Sequence, residues 1–282
     1  DDEETNILTS LLAKHLGGRY QESVPEKIAA RLAEITVDPA TVKLPDAGAA
    51  EAAKAAATSP LPRTDASVIR PARMSFKGQY NFGGQSLPVG VNREIAVVEE
   101  GGRALWRVID AVTMPMGAMA DTFWVERATL LPVRRAAGGL GTTMTLRYGA
   151  GAITGKAGGG GQVQDVNVAL EAPIYGDGCG FDLVLAGLPL AEGYREVFRQ
   201  FETSSQKVRP FAVAVKGSET AAVGGKTYEA FVVEVAPLDD DPGGAGVMRV
   251  LKDAPHFVLD SDFKLGANMG GGSFAMTMES ME

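Results

Sequence analysis

The stretch Pro255–Leu265, PHFVLDSDFKL, alternates. Phe257, Leu259, Phe263 and Leu265 fall on one face of an extended chain, and His256, Asp260, Asp262 and Lys264 fall on the other. Successive side chains of a strand point to opposite sides, so a period of two marks a strand with one apolar and one polar face. The pattern recurs. SFAMTMES aligns Phe274, Met276 and Met278, and MTLRY aligns Met144, Leu146 and Tyr148. Runs of like character lie near 70–80, 91–100, 103–114, 121–128, 162–170, 211–216, 227–235 and 248–252, separated by glycine-rich turns such as AGGGG and MGGGS. About ten or more strands are expected. No strand alternates regularly with a long helix, which argues against a parallel sheet. The expectation is a mainly β fold, with one large antiparallel sheet curved or closed into a partial barrel. The concave side of such a sheet is filled by helices, by its own side chains or by a ligand.

GFDLVLAGLPL supplies one filler. Phe181, Leu183, Val184, Leu185 and Leu188 suit two or three helical turns, stopped by Pro189, so a short central helix divides the strands into an earlier and a later block.

The first sixty residues differ. In TNILTSLLAKHLGG, Ile7, Leu8, Leu11, Leu12 and Leu16 recur at helical spacing between Thr5 as cap and Gly17–Gly18 as stop. In SVPEKIAARLAEI, Ser23 and Glu26 have capping-box spacing, and Ile28, Leu32 and Ile35 form a stripe. DAGAAEAAKAAATSPLPRTD combines helix formers with almost no large apolar side chain and reads as a tether. The expected division is a helical appendage with an Ala/Pro-rich tether over 1–66 and an antiparallel β domain over 67–282.

Composition narrows the function classes. In 282 residues of which 45% are hydrophobic, no window reaches the roughly 18 unbroken apolar residues of a membrane helix. The opening DDEETNIL has neither the basic nor the apolar region of a signal peptide, so a leader is expected to be absent or removed. The net charge of -8, without a basic stripe, argues against nucleic acid as a partner. One cysteine excludes an internal disulfide and a thiolate metal cluster, and suits the cytosol or a periplasm equally.

No constellation assembles into an active site. Gly176, Gly178 and Gly180 lack the third glycine spacing, the βαβ setting and the GK[ST] of a nucleotide loop, so a turn feeding a helix is favoured. Cys179, among glycines and large apolar residues, reads as a buried, inert thiol. Two histidines and no HExxH argue against metal hydrolysis, and His256 is expected on the outward face. Ser204 and Lys207 have SxxK spacing without its companion motifs. Asp239, Asp240 and Asp241 lack the spacing of a calcium loop and suggest a solvated hairpin tip. The ten methionines suit irregular cores and sites for varied apolar ligands.

Four segments in order carry a resemblance: DTFWVERATLLPVRR (121–135), FDLVLAGLPLAEGY (181–194), VKGSETAAVGGKTYEAFVVEV (215–235) and KDAPHFVLDSDFKL (252–265). With Asp121 before the Leu131–Pro132 turn, Leu188–Tyr194, and the Val223–Ala230 hairpin, the chain from about Ser67 to Leu265 resembles an uncharacterised family of bacterial exported proteins related to the LolA and LolB lipoprotein-carrier fold. The resemblance implies an envelope protein, periplasmic or outer-membrane-associated, whose curved sheet wraps helices and can leave a hydrophobic cavity. It brings no catalytic residue, cofactor or metal site.

The expected function is non-enzymatic binding of a lipid or acyl chain in the sheet's concavity. The expected lining is Trp106, Met144, Phe181, Leu185, Phe257, Phe263, Phe274, Met276 and Met278. The alternative is a structural module that docks an envelope protein partner through its N-terminal helices or a sheet edge.

Overall fold

The computed structural model describes residues 60–203, 205–239, 241–266 and 271–282. The two expected N-terminal helices and most of the alanine-rich tether lie outside them, as does Ser204.

Fourteen strands form one sheet. They are β1 (Ala72–Phe82), β2 (Gln85–Glu100), β3 (Arg103–Met114), β4 (Gly117–Glu126), β5 (Pro132–Gly139), β6 (Thr142–Tyr148), β7 (Ala152–Gly159), β8 (Gln162–Ala169), β9 (Arg195–Glu202), β10 (Lys207–Val223), β11 (Lys226–Pro237), β12 (Gly246–Leu251), β13 (Val258–Lys264) and β14 (Ser273–Met281). All the neighbouring strands pair antiparallel, in the order β8-β7-β6-β5-β4-β3-β2-β1-β14-β13-β12-β11-β10-β9. Two meanders are therefore joined at the middle of the sheet by β1 and β14. Hairpin connections of this kind demand turns with left-handed backbone, and Gly83–Gly84, Gly101–Gly102 and Gly224–Gly225 supply it with φ between 56° and 77°.

The sheet's two ends, β8 and β9, are consecutive in the chain. Between them runs the connection that carries the helix α1 (Cys179–Ala186). It begins as a lone parallel bridge from Tyr175 to Gln200 on the β9 edge. Seven of the eight residues of α1 are buried, so a helix of barely two turns is held by what surrounds it rather than by its own propensity. Gly187 ends it, and its carbonyl accepts from the Asp65 amide at 2.7 Å.

Inward-facing side chains pack in two groups. The larger surrounds α1 and includes Phe76, Trp106, Val108, Phe123, Leu183, Leu185, Phe198, Phe257, Leu259 and Met278. The smaller, Met144, Leu146, Ile153, Val166, Ile174 and Phe201, brings β6, β7 and β8 against β9. The seam between the sheet's ends is thus closed by apolar contact and not by a ladder of hydrogen bonds.

Two expectations are corrected. His256 is not on an exposed face: it is 5% exposed, its amide donates to the Ala186 carbonyl at 3.0 Å, and its Nδ1 lies 2.8 Å from the Leu251 carbonyl oxygen. It precedes β13 and sits under the end of α1, so strand alternation does not govern it. The aspartate-rich turn between β11 and β12 is not merely solvated. Asp239 holds the Arg209 guanidinium with both carboxylate oxygens, and the Asp241 and Gly243 carbonyls accept from the same group. Arg209 is 5% exposed, and without these partners its charge would be buried at high cost.

Candidate functional site

The concave face is not uniformly apolar. Following the ladder pairs from β2 to β8 gives Arg93, Asp110, Asp121, Ala137, Met144, Ala157 and Gln164 in one row. Arg93 grips Asp110 through two bonds of 2.7 Å and reaches Asp182 in the first turn of α1 at 2.6 Å. Arg135, on the adjoining row, grips Asp121 in the same way and reaches both oxygens of Asp177, just before α1, at 2.8 and 2.7 Å. Two Asp–Arg–Asp bridges thus tie the start of the helix to four strands. A bidentate guanidinium–carboxylate pair fixes orientation as well as charge.

Burial works against the charge on each guanidinium, but the facing aspartates outweigh it and hold both well above the usual arginine range. Burial also pushes the carboxyls of Asp177 and Asp182 up, against the pull of their arginines. Cys179 lies among these charges, contrary to the purely apolar setting expected for it. Burial foremost, then Asp110 and Asp121, hold its thiol well above the ordinary value.

The glycine cluster has a packing reason. A β-carbon on Gly176 would stand 2.8 Å from the Phe123 ring, and one on Gly180 would stand 3.1 Å away. Gly178 caps α1 with φ of 52°, a conformation that glycine adopts without penalty. The absence of side chains at Gly176 and Gly180 leaves room for Phe123, which is fully buried against the turn.

A cavity of about 900 Å³ opens beyond this charged layer. Its inner end is Asp177, Cys179, Phe181 and Asp182; its mouth is polar, with Thr143, Gln162, Gln164 and Lys264 exposed. Between them the wall is built in layers set by strand register. Tyr80, Phe274 and Phe263 pair across β1, β14 and β13, with the Tyr80 and Phe274 rings 4.6 Å apart. One layer deeper, Met276, Ser261 and Met248 pair across β14, β13 and β12. Met114, Met119 and Met144 line the facing wall.

Of the expected lining residues, Met144, Phe181, Phe263, Phe274 and Met276 stand on this wall. Trp106, Leu185, Phe257 and Met278 stand in the packed core around α1. Sequence reasoning named Asp121 only as a motif position, and missed Arg93, Asp110, Arg135, Asp177, Asp182 and Ser261. A signal was available: Arg93 shares the parity of Val89, Val91 and Ile95, and Ser261 that of Phe257, Leu259, Phe263 and Leu265. A polar residue on an apolar face marks either an error of register or a site.

Among the described residues no group of three or more His, Cys, Asp or Glu side chains is placed to hold a metal ion. Nor is any helix among them long and apolar enough to cross a membrane.

The fold defines a class: one-sheet antiparallel β proteins wound about a short helix and an ion-paired, partly open cavity. Within it, the chain belongs to the family described as "Protein of unknown function (DUF3108)", whose model matches residues 74–271. No curated protein matches. Among solved structures, a proposed exported protein with a YmcC-like fold from Bacteroides fragilis is similar at 7% identity and a TM-score of 0.33, covering 79% of this chain and 98% of the other. A DUF1329 family protein from Desulfovibrio piger is similar at 9% identity and a TM-score of 0.28, covering 75% of this chain and 84% of the other.

Proposed function

We propose that this protein is a non-enzymatic component of the bacterial cell envelope, periplasmic or outer-membrane-associated, that holds a lipid or acyl chain in the concavity of its sheet, as a variant of the LolA and LolB carrier fold. The cavity of about 900 Å³ carries the reading. It lies within the range of roughly 300–1,000 Å³ typical of small-molecule sites, and five methionines and six aromatic residues stand on its wall among the polar ones. Methionine side chains re-pack around ligands of different shape. Burial of an acyl chain gains about 0.8 kcal/mol per methylene, but a membrane offers the same gain, so the binding is weak and exchangeable.

Native mass spectrometry of protein purified from its own envelope, followed by extraction and lipid analysis, tests this. A released, stoichiometric lipid is the expected result. A clean apo mass that persists after incubation with envelope lipids would overturn it. That outcome would favour partner docking, for which the start of β8 is the specific support: β8 ends the sheet, and Gln162–Asp165, ahead of the part packed at the seam, are all exposed.

A further inference from the structure

Ser261 sits where a serine has least reason to be. It is 4% exposed, on the cavity wall, in register with Met248 on one side and Met276 on the other. Among the described residues its Oγ has no hydrogen-bond partner. Buried hydroxyls are nearly always satisfied, and leaving one unmade costs more than an apolar replacement would. Thioether sulfurs on either side are weak acceptors. We propose that Ser261 is the specificity-determining group of the cavity, and that the ligand it selects carries a neutral acyl carbonyl, ester or amide, that accepts a hydrogen bond from Oγ. This rests on the cavity being a lipid site.

Charge argues for a carbonyl over a carboxylate. The inner end carries four aspartates and two arginines, so carboxyl groups outnumber guanidiniums, and both guanidiniums are already engaged. Arg209, also on the wall, is held by Asp239 and Glu202. Lys264, farther along the same strand, stands exposed at the mouth. An anionic group would be buried in a cavity whose three wall arginines, Arg93, Arg135 and Arg209, are each already engaged by aspartates, whereas a carbonyl needs only the hydroxyl's proton.

The test is competition against a fluorescent apolar dye by decane, methyl decanoate and decanoate, with wild type and Ser261→Ala. The ester-to-alkane affinity ratio falls about three- to tenfold in Ser261→Ala, the size expected for one neutral hydrogen bond, while decane affinity stays within twofold. Thermal unfolding of the apo variant occurs no earlier than that of wild type, because an orphan hydroxyl has been removed. An unchanged ratio, or decanoate preferred over the ester by wild type, overturns the assignment of Ser261 and leaves the cavity reading standing. If neither the dye nor any of the three compounds binds, both fall together.

Discussion

Arg93 has one charge to share between two carboxylates. Asp110 and Asp182 both bond it, and the three side chains are 5%, 15% and 13% exposed. In such a place the attraction offsets the loss of hydration only while the set is whole. Arg93→Met leaves two buried carboxylates without a cation and lowers unfolding free energy by roughly 3–5 kcal/mol, measured by urea denaturation. The triple variant Arg93→Met, Asp110→Val, Asp182→Leu recovers most of that loss, which separates the cost of a broken bridge from the worth of an intact one. Gly176 gives a second test at this scale. Its alanine would press on the fully buried Phe123 ring at 2.8 Å, so Gly176→Ala destabilises by about 1–3 kcal/mol in the same assay. An alanine tolerated there would mean that the ring has room to yield.

At the scale of elements, α1 is the piece that everything else positions. The charged bridges hold its start, Phe181 packs edge-on against Phe198 at 5.6 Å, and its end receives hydrogen bonds from Asp65 and His256. The chain just before β1 belongs to this arrangement. Tyr175 donates to the Pro62 carbonyl at 2.7 Å, and Pro62 is buried. A boundary drawn at Ser67 therefore cuts through packed residues. A protein starting at Ser67 melts about 5 °C below one starting at Pro60, the effect of two lost hydrogen bonds and some apolar burial; equal melting temperatures would show the segment to be dispensable.

Elements were also where the sequence was most readable. Period-two runs mark the strands because each has a wet side and a dry side, while the helical stretch ends at Gly187, two residues before the stop expected at Pro189. The site was less readable. Asp110 and Asp121 are eleven residues apart and become neighbours only through the register of β3 and β4. Asp177 and Asp182 meet their arginines only once the sheet has curved around α1. Parity could have marked Arg93 as misplaced on an apolar face, but its partners exist only in the folded chain. His256 misled for a related reason: a strand-like context does not reveal that the chain leaves the sheet there.

At the scale of the whole described unit, the ion pairs and the seam govern how it responds to acid and how it opens. Each bridge carries one carboxylate more than it has cations. A proton taken up by Asp177 or Asp182 therefore relieves an excess negative charge, in line with the upward shift that burial gives both. Between the ordinary carboxylate value of 3.8 and the raised one, the native state binds more protons than the unfolded chain. Stability from these two groups thus rises as pH falls through that window, and is lost again toward neutral pH. The double variant Asp177→Asn, Asp182→Asn lacks this term, so its melting temperature gains less than that of wild type as the pH is lowered from neutral toward the ordinary carboxylate value of 3.8. Parallel profiles would show that neither group titrates there.

The seam predicts the order of opening. β1 and β14 lie at the centre of the sheet with a neighbour on each side, whereas β8 ends it and β6–β8 are held to β9 by the side chains around Phe201. Hydrogen exchange reads such differences directly, because each amide reports the free energy of the smallest opening that exposes it. In wild type the amides of β7 and β8 exchange before those of β1 and β14. Phe201 is fully buried, so Phe201→Ala removes about 3–5 kcal/mol from the contacts that close the seam. Protection should then fall in β6–β9 by far more than in β1 and β14. A uniform loss across all fourteen strands would mean that the sheet opens only as a whole, and that the seam is as strong as the ladders it interrupts.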